Sequence, residues 1–458
     1  MRARTQSAGR HWSSKFLFLA VAIGSAVGIS NIWKFTYVAG ANGGGAFVLI
    51  YVLALAGVAL PALIAEFLIG RRGGASMVGT MRALSQREGI STAWRLYALV
   101  AITAIFIALS FYCVVAGWTI DYFVQSLVGR LKGVSADQAS AALGAMQAAP
   151  ARMAFYEAIF IALTAVIVAQ GLHKGIERVL KWLTPGLFVI LLMLFVYAIV
   201  AADFAAGFAF LFKPDFSKLT AEIVLMAVGQ AFFSLGVGVG VMMTIGAYMK
   251  KDFSIVRSAI VVAVADGGVA LVAGMAIFPI VFTYHLSPAE GPGLIFATLP
   301  IAFGQMPGGA VFGGLFFLLM AIAALTSAIT ILEAVIASLE DTTRFSRGTL
   351  SLVSGIALWV FGLGTVFSFN IWSQVHPMAW LGVLTDRTVF GVLDYLVSNI
   401  LMPVGGILVA VLAGWALSRA SCVDELGVGD GRLFRLWRFL VRYIVPVAIG
   451  GVFIASLR

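Results

Sequence analysis

Long apolar segments separated by short polar segments run along the whole chain. Crossing a bilayer takes roughly 20 residues of helix, and these segments reach that length without the apolar–polar alternation of barrel strands. Because backbone polar groups must be paired inside lipid, such segments predict membrane-spanning helices. We recognise eleven spans, numbered 1 to 11, at residues 14–38, 43–69, 92–126, 153–171, 177–201, 221–249, 254–284, 309–338, 348–370, 389–418 and 433–457.

Composition supports this fold class and excludes several functions. Of the 458 residues, 61% are hydrophobic and 11% are charged, whereas a soluble domain carries about 25% charged residues. A soluble enzyme or a nucleic-acid-binding protein is therefore excluded, although the formal net charge is +10. The chain is predicted to be an all-α polytopic protein of the lipid bilayer, with no nucleic-acid partner.

The basic residues predict the orientation of the chain. With a cytoplasmic N-terminus, 21 of the 30 Lys and Arg residues fall on the inner face and 7 on the outer face, as the positive-inside rule requires. We therefore expect a cytoplasmic N-terminus, an extracytoplasmic C-terminus after eleven spans, and a location in the plasma (cytoplasmic) membrane.

Two predicted spans contain clusters of glycine and small polar residues near their middle. Span 1 carries GSAVGISN at 24–31, and span 6 carries FSLGVGVG at 233–240. Small residues at such spacing serve close helix packing in many membrane proteins. Breaks at corresponding positions five helices apart are also typical of inverted-repeat transporters, in which unwound backbone holds a carboxylate and Na⁺. The glycines alone leave both interpretations open.

Polar side chains within the spans favour a transporter. Ionisable residues at membrane depth are costly and usually functional, and the deepest here are Lys34, Glu66, Asp266, Glu333 and Asp394. Hard cations such as Na⁺ prefer oxygen ligands, and neutral oxygens are offered by Asn31, Gln230, Ser234, Thr326 and Ser327. The four His and two Cys residues are scattered, so we expect neither a transition-metal site nor a disulfide.

Several motifs, taken together, resemble the neurotransmitter:sodium symporter family over nearly the whole chain. They are GSAVGISNIWKF, NGGGAF, AEFLIGRRGG, GQAFFSLGVGVG, AALTSAIT, ASLED and LDYL, in that order. The resemblance implies a LeuT-like fold with two inverted five-helix repeats and unwound helices 1 and 6. It also implies sodium-coupled uptake of an amino acid or amine, and no enzyme activity. The expected units are a tail at 1–13, repeats at 14–201 and 221–418, and a final span at 433–457.

The family's ion and substrate sites can be carried over by motif. The resemblance implies a first sodium site at Ala26, Asn31, Ser234 and Asp266, and a second at Gly24, Val27, Ala323, Thr326 and Ser327. The implied substrate site consists of Ser25, Gly28, Ile29, Ser30, Ala108, Tyr112, Phe233, Ser234, Gly236, Val239, Ser327 and Ile331. Two Na⁺ ions are thus expected, without an organic cofactor.

The resemblance also implies two gates. The outer gate would pair Lys34 with Asp394 above a lid of Tyr112 and Phe233, and the inner gate would consist of Arg10, Trp12, Tyr248 and Asp341. The unwound segments would be braced by Glu66 and Gln230. No role carries over for Glu333.

Among several departures from the family pattern, those at Lys34 and Asp266 bear most directly on the mechanism. Lys34 stands where the family usually has Arg, and because Lys lacks the bidentate fork, we expect a looser outer gate. Asp266 stands where many relatives have Asn and where chloride-dependent relatives use Cl⁻ to supply negative charge. A fixed carboxylate would offset the charge of Na⁺ directly, so we expect chloride-independent transport.

The substrate class stays open between two alternatives. Ala108, Gly236, Val239 and Ala328 are small, which favours a roomy pocket for a bulky hydrophobic or aromatic amino acid. The same space at Gly236 would suit an ω-amino acid such as GABA, β-alanine or taurine. Two other classes of function are alternatives to a transporter. A receptor that does not transport would keep the same site. A channel would need a continuous polar pore, and the isolated midplane site argues against one. The oligomeric state is not predicted.

Overall fold

Helices form all of the regular structure in the described part of the chain. The computed structural model describes residues 11–289 and 293–457. Within them, nine continuous helices are long and apolar enough to cross a membrane: Gly45–Gly73, Trp94–Leu127, Pro150–Ala169, Leu172–Ala201, Ile255–Thr283, Gly309–Thr342, Arg347–Ser368, Val389–Ala416 and Arg432–Ser456. They match predicted spans 2 to 5 and 7 to 11 and keep those numbers below. The prediction of an all-α polytopic protein is confirmed.

Span 1 is broken where its small residues cluster. The helices Lys15–Ala26 and Ser30–Ala41 are bent by 51° relative to each other. The first helix is capped by Ser14, whose hydroxyl accepts a hydrogen bond from the Leu17 N–H, and it ends where Val27 adopts extended backbone. The unwound turn therefore lies in the middle of the span.

Span 6 is broken in the corresponding place, between the helices Ala221–Ser234 and Val241–Ala247. Gly236, Gly238 and Gly240 all have positive φ, at 61°, 101° and 76°, a conformation that side chains disfavour. Span 10 passes so close that a Cβ on Gly238 would lie 2.7 Å from the Met402 carbonyl oxygen. Each half is too short to cross a membrane alone, so the total of eleven spans stays a prediction.

The broken segments lie at the centre of the bundle. Span 8 packs along span 3 and also contacts both broken spans. In the most apolar window of span 8, 67% of the residues are buried, against 17% in span 11. Span 8 is therefore a core helix and span 11 a peripheral one, which leaves much of span 11 to the lipid.

Shorter helices connect the spans, and the hydrophobic pattern did not resolve them. They are Met77–Glu88, Ala136–Gln147, Phe204–Phe212, Leu294–Gln305 and Arg419–Leu426. Ala136–Gln147 and Leu294–Gln305 pack together, and beside them the Gly133 N–H donates to the Gly304 carbonyl at 3.0 Å. Met77–Glu88 and Arg419–Leu426 lie at the opposite end, where Ser421 Oγ donates to Glu88 Oε2 at 2.5 Å. The boundaries expected for the two inverted repeats, 14–201 and 221–418, stay predictions.

Candidate functional site

An oxygen-rich cluster lies where the two broken spans meet span 7. Asn31 Nδ2 donates to Ser234 Oγ at 2.9 Å and to Asp266 Oδ1 at 2.7 Å. Ser234 Oγ donates to Asp266 Oδ2 at 2.7 Å, and all three side chains are buried. Ala26, the fourth residue predicted for the first sodium site, ends the first half of span 1. The structure thus gathers side chains that are up to 235 positions apart.

The chemistry of this cluster fits a monovalent cation. The hydrogen-bond partners of the Asp266 carboxylate in the described part of the chain are neutral, and the Tyr51 hydroxyl, 3.5 Å from Ser234 Oγ, is neutral too. A buried carboxylate without a compensating charge is strongly destabilising. A bound cation would supply that charge, and carboxylate, amide and hydroxyl oxygens are the ligands that a hard cation prefers.

A second set of oxygens joins span 1 to span 8. Ser327 Oγ lies 3.3 Å from the carbonyl oxygen of Gly24, 3.1 Å from that of Ser25 and 3.4 Å from that of Val27. On span 8, Thr326 Oγ1 donates to the Ala323 carbonyl at 3.0 Å. The residues predicted for the second sodium site therefore lie on facing sides of spans 1 and 8, next to the break in span 1.

Gly24 allows this contact between spans. A Cβ on Gly24 would lie 2.8 Å from Thr184 Oγ1 of span 5 and 3.2 Å from Thr326 Cβ of span 8. Thr184 Oγ1 also donates to the Ala20 carbonyl at 3.0 Å. The small residues of span 1 thus serve close packing at Gly24 and a helix break just beyond it.

A cavity of about 120 Å³ lies between the broken spans and spans 3, 8 and 10. It is lined by every residue predicted for the substrate site except Ile29, which lines a neighbouring cavity. Its polar groups are supplied by Ser25, Ser30, Ser234, Ser327 and the Tyr112 hydroxyl. The rest of its surface is mainly apolar, so the cavity offers a polar side next to the ion sites and an apolar remainder.

Several residues that line this cavity were missed in the sequence. They are Ile105, Phe111, Leu235, Val241, Met242, Val397 and Met402. Ile105 could have been predicted from the sequence, because it precedes Ala108 and Tyr112 at helical spacing on the same face of span 3. Val397 and Met402 could not have been predicted in this way, because span 10 contains a π-helical turn at Leu396–Leu401 that changes the helical register.

A second cavity, of about 330 Å³, contains both residues of the predicted outer gate. Lys34 Nζ lies 3.8 Å from the centroid of the Phe233 ring, and Asp394 Oδ1 accepts a hydrogen bond from Ser398 at 3.0 Å. Within the described residues, no ion pair of 4.0 Å or less joins Lys34 to Asp394. The two cavities share Ser30, Phe111, Tyr112 and Phe233, so the predicted lid residues stand between them.

Glu66 holds the break in span 6. Its Oε1 accepts from the Gly238 N–H at 2.7 Å and from the Gly240 N–H at 3.3 Å, and its Oε2 accepts from the Met243 N–H at 3.2 Å. The carboxylate thereby caps the positive end of the half-helix Val241–Ala247. Gln230 is buried, and its amide has no hydrogen-bond partner among the described residues, so its predicted bracing role stays a prediction.

The predicted inner-gate residues lie at the opposite end, where the N-terminal segment covers the bundle. Trp12 is buried, its indole N–H donates to the Ile245 carbonyl at 3.0 Å, and its backbone N–H donates to the Tyr248 carbonyl at 3.0 Å. Asp341 Oδ2 accepts from the Ser76 N–H at 3.2 Å. Arg10 lies outside the described residues. This end of the bundle is closed by direct contacts.

Glu333 extends this closure, a role that the sequence did not predict. Its Oε1 accepts from the Tyr248 hydroxyl at 3.0 Å, and its Oε2 pairs with Arg347. Arg347 also contacts Glu340 at 3.2 Å and the Val168 carbonyl at 2.8 Å. The network joins spans 4, 6, 8 and 9. Its signal in the sequence was an ionisable residue deep in span 8 with a basic residue at the start of span 9.

Comparison with known families explains this arrangement. The profile of the sodium:neurotransmitter symporter family matches residues 9–141 and 144–457. The chain belongs to this family. Its fold is LeuT-like, it is a sodium-dependent multi-pass membrane transporter, and it is not an enzyme. These expectations from the resemblance are confirmed.

Individual relatives match over nearly their full length. An uncharacterised sodium-dependent transporter of Bacillus subtilis is 38% identical over 97% of this chain and 96% of its own length. One from Haemophilus influenzae is 30% identical over 97% of this chain and 98% of its own. The crystal structure of MhsT in complex with L-phenylalanine matches with a TM-score of 0.89 and 36% identity, covering 98% of this chain and 99% of that one.

Proposed function

We propose that this transporter imports a bulky neutral amino acid, hydrophobic or aromatic, together with Na⁺ by alternating access. The observation that carries the proposal is the central cavity, which has polar groups beside the ion sites and an apolar remainder. The substrate carboxylate would lie at the broken end of span 1, near Ile29, Ser30 and the Tyr112 hydroxyl. The substrate side chain would contact Ala108, Phe233, Gly236, Val239 and Ile331.

Two sodium ions would couple binding to the conformational change. The first would bind at Ala26, Asn31, Ser234 and Asp266. The second, at Gly24, Val27, Ala323, Thr326 and Ser327, would hold span 1 against span 8, and its release would free span 1 to move. Each charge that enters with the membrane potential contributes about 2.3 kcal/mol per 100 mV.

The outer gate and the inner gate would open and close alternately. Closure of Phe233 and Tyr112 over the substrate would remove the cavity that separates Lys34 from Asp394. Separation of Trp12 from the 245–248 segment would then open the other end. Arg10 and Asp341 belong to this inner gate in the proposal, and Gln230 would brace the break only in another state of the cycle.

Two observations favour a hydrophobic substrate over an ω-amino acid. A charged distal amine would meet the apolar part of the cavity and would be left unpaired, which is unfavourable. MhsT, which shares the fold at 36% identity, was crystallised with L-phenylalanine. We also propose chloride independence, because the Asp266 carboxylate supplies the negative charge beside the first ion. The proposed location is a bacterial plasma membrane, with a cytoplasmic N-terminus and an extracytoplasmic C-terminus.

Ligand-induced stabilisation of the purified protein tests these assignments. A panel of amino acids, GABA, β-alanine and taurine would be screened by thermal unfolding in NaCl, sodium gluconate and KCl. Since a ligand that binds only the folded state raises its stability, we expect stabilisation by phenylalanine-like amino acids in both sodium salts and none in KCl. Stabilisation by ω-amino acids alone would contradict the proposed substrate class. Loss of the stabilisation when gluconate replaces chloride would contradict chloride independence.

A further inference from the structure

We propose that the arginine-rich start of span 11 binds the phosphate group of an anionic phospholipid. Arg435, Arg438 and Arg442 follow one another at spacings of three and four residues within the helix Arg432–Ser456. Such spacing places them along one stripe of the helix. Arg432, one turn before Arg435, extends the stripe.

In the part of the chain that the structure describes, none of these arginines forms an ion pair of 4.0 Å or less with a carboxylate. The acidic residues that precede span 11 in the sequence form their ion pairs elsewhere: Asp430 with Arg419 at 2.5 Å, Glu425 with Arg71 at 2.5 Å, and Asp424 with Arg72 at 3.2 Å. Arg438 Nη2 donates to the Leu417 carbonyl at 3.2 Å, whereas Nη1 of Arg438 and Nε of Arg442 are buried without an acceptor. Because buried donors are normally satisfied, these two donors, next to the exposed guanidinium groups of Arg432 and Arg435, favour an anionic acceptor at this end of span 11.

The stripe lies at a lipid-facing edge of the bundle. The Arg442 guanidinium carbon is 4.3 Å from the centroid of the Trp415 ring, whose indole N–H donates to the Arg442 carbonyl at 3.4 Å. Trp415 also packs edge-on against Tyr443, with ring centroids 5.7 Å apart. Both rings are about half exposed, and half-exposed Trp and Tyr typify the boundary between lipid and water.

The same helix offers a surface for acyl chains. Phe434, Trp437 and Val441 are buried on the protein side of span 11. Leu433, Leu436, Phe439 and Val447 are exposed on the other side. The arginine stripe runs between these two sides, so an anion bound there would have its tails along the exposed apolar residues. This is why we assign the site to a phospholipid rather than to a free anion.

The ligand chemistry follows from the side chains. Arginine donates in a planar fork that matches two oxygens of a phosphate, and basic pockets between membrane helices bind anionic headgroups. Phosphatidylglycerol carries the phosphate charge without the compensating cation of phosphatidylcholine. We therefore expect selective binding of phosphatidylglycerol where span 10 ends and span 11 begins.

Lipid binding to the delipidated full-length protein, measured by native mass spectrometry, tests the site. We expect phosphatidylglycerol to bind at least about tenfold more tightly than phosphatidylcholine, since each basic residue near the surface contributes about 1 kcal/mol. The double variant Arg438→Gln, Arg442→Gln should lose most of this preference. The variant Arg442→Lys, which keeps the charge, should retain most of it. Arg257→Gln, which removes an exposed charge at the start of span 7, should leave it unchanged.

Three outcomes would overturn the proposal. They are equal binding of the two lipids by the unmodified protein, an unchanged preference in the double variant, and displacement of phosphatidylglycerol by millimolar inorganic phosphate, which would identify a free-anion site. The first and third need no substitution, so the proposal stays testable even if the double variant does not fold.

Discussion

The Asp266 carboxylate gives the oxygen cluster between spans 1, 6 and 7 its negative charge. It interacts there with Asn31 and Ser234, each brought from a different broken span. These residues could be identified from the sequence because polar side chains are rare inside apolar helices. The partner of Lys34 could not, since Lys34 faces the Phe233 ring rather than Asp394. A single ammonium is attracted by an aromatic face, and sequence spacing does not reveal the width of the cavity around it.

Replacing Asp266 with Asn tests the role of this charge. The amide keeps the size of the side chain but removes the negative charge, so we expect the sodium concentration needed for substrate binding to rise. Opposite unit charges about 4 Å apart attract each other by about 4 kcal/mol at an effective dielectric constant of about 20, and loss of even part of this attraction would raise the concentration by at least about tenfold. The measurement is a sodium titration of substrate-induced thermal stabilisation. Asp252→Asn, an exposed acid before span 7, is the matched control, and an identical titration in both variants would contradict the assignment.

At the scale of whole elements, the two broken spans were predictable and their supports only partly so. The glycines at 236, 238 and 240 carry positive φ, and this requirement is visible in the sequence as alternate glycines. The three-fold cap by Glu66 depends on a contact 172 positions away, and periodicity does not show such contacts. The π-turn at Leu396–Leu401 and the short connecting helices also leave no pattern that distinguishes them.

Substituting Glu66 with Gln tests the support of span 6. One carboxylate oxygen becomes an amide NH₂, which cannot accept a hydrogen bond from the backbone N–H groups that face it. A buried donor left unsatisfied destabilises by about 1–3 kcal/mol, so we expect the free energy of unfolding to fall by about that amount. Thermal or denaturant unfolding in detergent measures it.

Glu222→Gln provides the control for this experiment. Glu222 lies exposed in the first turn of the same span, and its replacement should leave stability within about 0.5 kcal/mol. Equal stability of the Glu66 and Glu222 variants would show that the cap does not hold the break.

At the scale of the whole molecule, the pathway is closed by contacts at the end that carries the N-terminal segment. A cavity of about 330 Å³ is present at the other end. The family and its fold could be predicted from the sequence because its motifs occur in order along the chain. The conformation could not be predicted from the sequence, because it depends on whether the side chains pack together at the N-terminal end of the bundle or at the opposite end. The closed end is held by Trp12, Tyr248, Glu333 and Arg347 together.

Neutralising Arg347 tests this closure. In Arg347→Gln, the buried Glu333 carboxylate loses its cationic partner, so the contacts around Trp12 and Tyr248 should open more often. Loss of about 1–3 kcal/mol of local stability would speed amide exchange roughly 5- to 150-fold. Hydrogen–deuterium exchange of the 12–18 and 241–248 segments measures it. Arg344→Gln, an exposed arginine three residues earlier, should exchange like the unmodified protein, and equal exchange in both variants would exclude the network from the gate.

The most direct test of the central claim is uptake of labelled L-phenylalanine into proteoliposomes that contain the purified protein. Uptake would be compared with inward gradients of sodium gluconate, NaCl and KCl at the same membrane potential. The account predicts accumulation above the external concentration with either sodium salt and only equilibration or no uptake with KCl. Equal accumulation in KCl, or accumulation that disappears when gluconate replaces chloride, would contradict sodium-coupled, chloride-independent import.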